Sequence, residues 1–312
     1  MIVSIIIPVY NANDFILDCL NSVAAQTMTD GVECILIEDC GQDNSVELIE
    51  DYIARYNGFI TFRLFKQERN QGPSAARNRG IRESRAEYVF FLDADDLITP
   101  CCIEQLYTIA KENKSDYVQG TYKDEPKFPK SFVLDDKKKI KTLLLDYTKI
   151  QFTPHNRLVR RQLILDHNLY FNEKIKVRED FLWMTFVAKY VAHFALTTEE
   201  TYVRGYNEDS LTHNINLERE ILGYKVLIET MCHSIDPFLI GLQKERILDA
   251  FLMAERNNFF HNDEERNQLL KTINSKNSFL QRILFNIFAK NISTKLSSKI
   301  LHILIRLYKL DD

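Results

Sequence analysis

Four short apolar runs, Val3–Val9, Glu33–Glu38, Ile60–Phe65 and Glu87–Leu92, alternate with segments of helical period. This alternation constrains the fold more than any other feature of the chain. The intervening stretches run from about Phe15 to Ala25, from Ser45 to Tyr56 and from Ala75 to Arg82. In the second, Val46, Leu48, Ile49, Tyr52 and Ile53 share one face. Strands separated by helices predict βαβ units, a mostly parallel sheet and right-handed crossovers. Parallel strands share a direction, so their carboxyl ends open on one edge, where such sheets bind ligands.

What stands at those ends is therefore informative. Pro8-Val9-Tyr10-Asn11 follows the first run, and Glu38-Asp39-Cys40-Gly41-Gln42-Asp43 the second. Asn70 to Gly80 follows the third, and Asp93-Ala94-Asp95-Asp96 the fourth. Clustered carboxylates repel and raise one another's pKa. A hard divalent cation relieves that repulsion, and carboxylate oxygens suit Mg²⁺ or Mn²⁺, which keep substrate phosphates in their shell. The competing structural reading makes Asp95 or Asp96 the N-cap of a helix near 100–111. Turns are rich in Asp, Asn and Gly in any protein, so the weight lies in four such ends occurring in order.

Taken together, these segments resemble family 2 glycosyltransferases of the GT-A fold, over roughly residues 1–120. Arg178-Glu179-Asp180 resembles a later Glu-Asp element and extends the likeness to about residue 215. The resemblance implies a GT-A domain over 1–215, with a donor half (about 1–120) and an acceptor half (about 121–215). A helical C-terminal region, 216–312, follows. It implies an inverting, metal-dependent transferase that moves a sugar from a nucleotide-sugar, with UDP the expected nucleotide, to an acceptor hydroxyl. Pro8, Tyr10, Asn11, Glu38 and Asp39 would hold base and ribose, with the Asp39 carboxylate accepting the uracil N3–H. Glu38 and Cys40 depart from the commoner Asp-Asp-Gly form, and Cys visits positive φ less readily than Gly. Arg77, opening a helical segment, would face the diphosphate. Asp93 and Ala94 would lie at the nucleotide-sugar, and Asp95, Asp93 and His213 would hold the cation. Asp180 would be the general base, although a helix N-cap is its plain alternative. A single base implies inversion, since no second nucleophilic carboxylate is needed. His155 is read as structural, and Arg157 as architectural.

Other classes fit less well. A sugar-phosphate nucleotidyltransferase expects a Gly-rich basic loop after the first strand, and no G-x-G-x-x-G motif marks a dinucleotide enzyme. A catalytically idle nucleotide-sugar-binding or assembly protein stays open. The net charge of −4 argues against nucleic acid as partner. Six cysteines without C-x-x-C spacing, and a strand-like start, point to the cytoplasm. The stretch 123–141 reads as an irregular, solvated excursion. Residues 279–310 interleave apolar positions with Lys and Arg at helical spacing. That pattern suits a peripheral helix at the inner membrane face, beside a lipid-linked saccharide acceptor, or equally packing on protein or in a homodimer.

Overall fold

The computed structural model describes residues 1–207, apart from 124, 126–127, 147–148 and 176–178. In chain order the elements are β1 (Val3–Val9), α1 (Ile16–Ala24), β2 (Val32–Glu38), α2 (Ser45–Arg55), β3 (Thr61–Lys66), α3 (Pro73–Glu83), β4 (Tyr88–Phe91) and β5 (Leu97–Ile98). Then come α4 (Cys102–Glu112), β6 (Tyr117–Tyr122), β7 (Phe132–Leu134), α5 (Lys137–Leu144), β8 (Arg157–Arg160), α6 (Arg161–Asp166), α7 (Glu179–Tyr190) and β9 (Phe194–Val203). One mixed sheet runs β3-β2-β1-β4-β8-β6-β9-β5, with β7 also paired to β9. The β3-β2-β1-β4 half is parallel throughout, as the alternation predicts. Beyond it, β8 is antiparallel to both β4 and β6.

Strand β2 is buried along its whole length and β1 nearly so, which explains why both are dominated by apolar residues instead of alternating with polar ones. Helix α1 closes one face with Ile16, Cys19, Leu20 and Val23, at i, i+3, i+4 and i+7. Proline is unusual in a central strand because it cannot donate to the ladder. Alternate residues of β1 face alternate neighbours. Ile6 accepts from Leu92 N on the β4 side, and Val9 accepts from Asp39 N on the β2 side. Pro8 therefore faces β4, whose pairing with β1 has ended at Ile6–Phe91. The missing N–H costs nothing there, at the point where the sheet edge opens.

The expected irregular excursion at 123–141 is corrected. It contains β7 and most of α5. Asp136 caps α5 by accepting from Lys138 N and Lys139 N, while Ile140 and Leu144 bury one stripe. The three lysines at 137–139 are exposed, and their charge hid the helix from the reading.

The chain divides into two compact units. One comprises Met1–Lys174 with Trp183–His213, and the other Ile175–Leu182 with Asn214–Asp312. Among the described residues no helix is long and apolar enough to cross a membrane.

Candidate functional site

The open edge of the parallel half collects the sequence-predicted donor residues. Asp39 is buried just past β2. Its Oδ1 accepts from Gln67 Nε2 and from Gln71 N at 2.8 Å, and its Oδ2 accepts from Gly72 N at 2.7 Å. A carboxylate offers about four acceptor positions, so one position on Oδ2 remains among the described residues. The same bonds fix the loop before α3. Gly72, at φ 89°, turns the chain there, and Pro73 opens the helix. Glu38 is also buried and closes its own turn by accepting from Gly41 N at 2.6 Å. Cys40 does occupy the left-handed region, at φ 55°. Its thiol donates to Gln67 O, which helps to offset a cost of roughly 1–2 kcal/mol. Asn11, at φ 47°, accepts from Gln42 N and ties the β1 and β2 turns together. Tyr10 is half exposed at the same edge. A cleft of about 560 Å³ lies beside these turns, lined by Asn11, Asn13, Gln42, Asp43, Tyr206 and Asn207 among others.

Arg77 does not open its helix as expected. It sits in the second turn of α3, buried, with its guanidinium over the Phe171 ring and 3.1 Å from Asp93 Oδ1. Helix α3 starts at Pro73, two residues before the predicted start, because Pro is accepted at the first helical position. Asn78 works beside it as a brace. Its side chain donates to Phe171 O and accepts from Phe171 N, which pins the 171–173 segment to α3.

The acidic turn divides its labour. Burial alone would raise the Asp93 pKa, but the surrounding positive charge, Arg77 foremost, outweighs it and holds this carboxyl below its ordinary value. Ala94 is buried. Asp95 is partly exposed, and its Oδ2 accepts from Asn207 Nδ2 at 2.9 Å. Asp95 Oδ1 has no partner among the described residues. Asp96 is buried, accepting from Tyr202 Oη on one oxygen and from Gly205 N on the other, each at 2.7 Å. Burial, with Asp93 alongside, pushes its pKa up to about 7.

His155 approaches this turn as well, with Nε2 3.7 Å from Asp93 Oδ2. Its Nδ1 lies 3.1 Å from Tyr122 Oη, its ring stacks on Tyr202, and burial drives its pKa down to about 3. This neighbourhood is not legible in the sequence. His155 follows no strand end, and its partners lie far along the chain.

Two donor sets could hold a cation. Asp93, Asp96 and His155 present ligand atoms within 4.8 Å of one another. However, both Asp96 oxygens already accept protein hydrogen bonds, and the imidazole is a softer donor than Mg²⁺ prefers. Asp93 and Asp95 are only partly buried, and Asp93 Oδ2 and Asp95 Oδ1 are hard oxygens of the kind a divalent cation takes. Arg157, fully buried, donates to Thr153 Oγ1 and His155 O and is architectural. Asp180 lies in the first turn of α7 and accepts from Phe181 N at 2.8 Å. His213 lies outside the described residues.

Residues 4–167 match the family described as glycosyl transferase family 2. The chain belongs to that family. Among relatives, the uncharacterized glycosyltransferase EpsJ of Bacillus subtilis is 32% identical over 68% of this family 2 chain and 63% of its own length. The poly(ribitol-phosphate) beta-glucosyltransferase of Bacillus spizizenii is 30% identical over 63% of this chain and 34% of its own. The chain thus spans between about a third and just under two thirds of the length of these relatives. The crystal structure of S. aureus TarS 1-349 in complex with UDP-GlcNAc superposes with a TM-score of 0.68 at 18% identity, over 100% of this chain and 93% of that one. The shared fold is the GT-A arrangement of a mixed sheet flanked by helices.

Proposed function

We propose that this chain is an inverting glycosyltransferase. It moves a sugar from a nucleoside-diphosphate sugar, with uridine the favoured nucleoside, to an acceptor hydroxyl in polysaccharide or glycoconjugate assembly. The observation that carries the reading is the gathering of Asp39, Arg77 and the 93–96 acids at one open sheet edge in a family 2 chain. The open acceptor position on Asp39 suits the N3–H of a uracil. The complex of TarS with UDP-GlcNAc supports a UDP-sugar, and the poly(ribitol-phosphate) relative supports a polymeric acceptor.

Asp93 and Asp95 are the proposed cation ligands, for Mg²⁺ or Mn²⁺. When bound, such a cation would neutralise charge on the departing diphosphate. Arg77, already paired with Asp93, would hold that carboxylate in place and add positive charge on the donor side. Asp180 is the proposed general base, taking the proton from the acceptor hydroxyl as it attacks the anomeric carbon. We take 1–215 as the transferase domain and 216–312 as an appended helical region. The basic and apolar pattern of 279–310, which lies outside the described residues, supports a peripheral contact with the inner membrane face.

The test is turnover with a panel of UDP-sugars, followed by the anomeric configuration of the product. An α-linked donor should give a β-linked product. Asp180→Asn should lower kcat by about 10²–10⁴-fold, the usual worth of a general base. Retention of configuration, or full activity in Asp180→Asn, would overturn the mechanism. No turnover with nucleotide-sugar binding intact would favour an assembly role.

A further inference from the structure

We infer that residues 202–207, at the end of β9 and beyond it, form a clasp that aims the Asp95 carboxylate, with Asn207 as its positioning residue. The inference rests on the proposed role of Asp95 as a cation ligand. Four hydrogen bonds, made by three residues of this segment, tie it to the acidic turn. Tyr202 Oη donates to Asp96 Oδ2 at 2.7 Å and accepts from Asp93 N at 3.3 Å. Gly205 N donates to Asp96 Oδ1 at 2.7 Å. Asn207 Nδ2 donates to Asp95 Oδ2 at 2.9 Å. Since a carboxylate only accepts, the amide nitrogen of Asn207 must be the atom facing it.

The approach is close enough to demand glycine. A Cβ on Gly205 would lie 1.7 Å from Asp95 O, a backbone atom that cannot swing aside. The contact therefore brings two backbones together, and any side chain at 205 would lift the clasp off the turn.

This arrangement gives the two acids different work. Asp96 has both oxygens engaged and serves as the post to which the clasp is tied. Asp95 has one oxygen engaged, and that single bond fixes the rotation of its carboxylate and leaves Oδ1 available. Hydrogen bonds from outside the ligand set orient a ligand in this way, and losing one typically costs about 10–100-fold in metal affinity. Asn207 also lines the 560 Å³ cleft beside the β1 and β2 turns, so the clasp joins that cleft to the acidic turn.

The experiment is calorimetric titration of Mn²⁺ into the full-length protein saturated with UDP, for wild type, Asn207→Ala and Gly205→Ala. Expected is a Mn²⁺ dissociation constant about 10–100-fold higher in both variants. In turnover, Asn207→Ala should need correspondingly more Mn²⁺ for half-activation and recover its kcat at saturating Mn²⁺. A residue that merely stabilises the fold would not give that split. Wild-type Mn²⁺ affinity in Asn207→Ala would overturn the clasp while leaving the cation reading intact. Failure of the wild type itself to bind Mn²⁺ would overturn the cation reading, and the clasp with it.

Discussion

Asp96 shows how a single buried acid couples this turn to pH. Folded, it holds its proton up to about 7, because burial and the neighbouring Asp93 both oppose its charge. Unfolded, it loses the proton near 4. Between those values the folded state binds more protons, so stability must fall as pH rises from about 4 to about 7. Three units correspond to at most roughly 4 kcal/mol. Asp93 acts in the opposite sense and at lower pH. Its depressed pKa contributes stability that is present above the ordinary carboxylate value and lost as pH falls through the folded one. The expectation for Asp96→Asn is a flatter profile, measured by denaturant melts at pH 5 and pH 8 without added cation. The wild type should lose stability between these values and the variant should lose much less. Equal slopes in the two proteins would refute the assignment. The sequence displayed three acids within four residues but not their division of labour. Tyr202 and Gly205, which set it, lie 106 and 109 residues from Asp96.

Elements carry the site by how closely they pack, and α3 on β1 is the clearest case. A Cβ on Gly80 would lie 2.2 Å from Ile6 Cγ2, the branch of a fully buried side chain. Gly80→Ala should gain up to about 1 kcal/mol of helix propensity. Against that stands overpacking worth roughly 1–3 kcal/mol. We expect overpacking to win, with a net loss of about 1–2 kcal/mol. Ile6→Ala removes the offending branch, so the double variant should be more stable than the two single losses predict. Simple additivity in urea melts would contradict the packing argument. The same strain should raise KM for the donor, because Arg77 rides on α3 one turn before Gly80. The parallel half of the sheet was legible because its strands are apolar runs bounded by turns. The other half was not. Strand β9 contains Thr197-Thr198-Glu199-Glu200-Thr201, a polar run whose extended form is set by pairing with β6, β7 and β5. Strand β8 is four residues long with arginine at both ends. Tertiary pairing, not local pattern, makes such strands.

At the scale of the whole molecule, the candidate donor ligands Asp39, Arg77, Asp93 and Asp95 all belong to one compact unit, whereas Asp180 belongs to the segment 175–182 of the other. Nucleotide binding should therefore stabilise the first unit by mass action. At about 100 times its dissociation constant, UDP with Mn²⁺ should add roughly 2.7 kcal/mol. For a unit of some two hundred residues that is a rise in Tm of about 5–10 °C. The base can be read from the same experiment. Three acceptor positions of the Asp39 carboxylate are taken by Gln67, Gln71 and Gly72. The fourth can be filled by a uracil N3–H, whereas cytosine presents a lone pair at N3 and would leave two acceptors facing each other. An unmade buried hydrogen bond costs about 1–3 kcal/mol, so CDP at the same concentration should lose most of the shift. A CDP shift equal to that of UDP would remove Asp39 from the base pocket and leave the transferase reading standing. If neither nucleotide shifts Tm at millimolar concentration, the donor site itself is refuted. The acids at 93–96 would then be an ion-paired turn, with Asp93 balanced by Arg77 and Asp96 held by Tyr202 and Gly205.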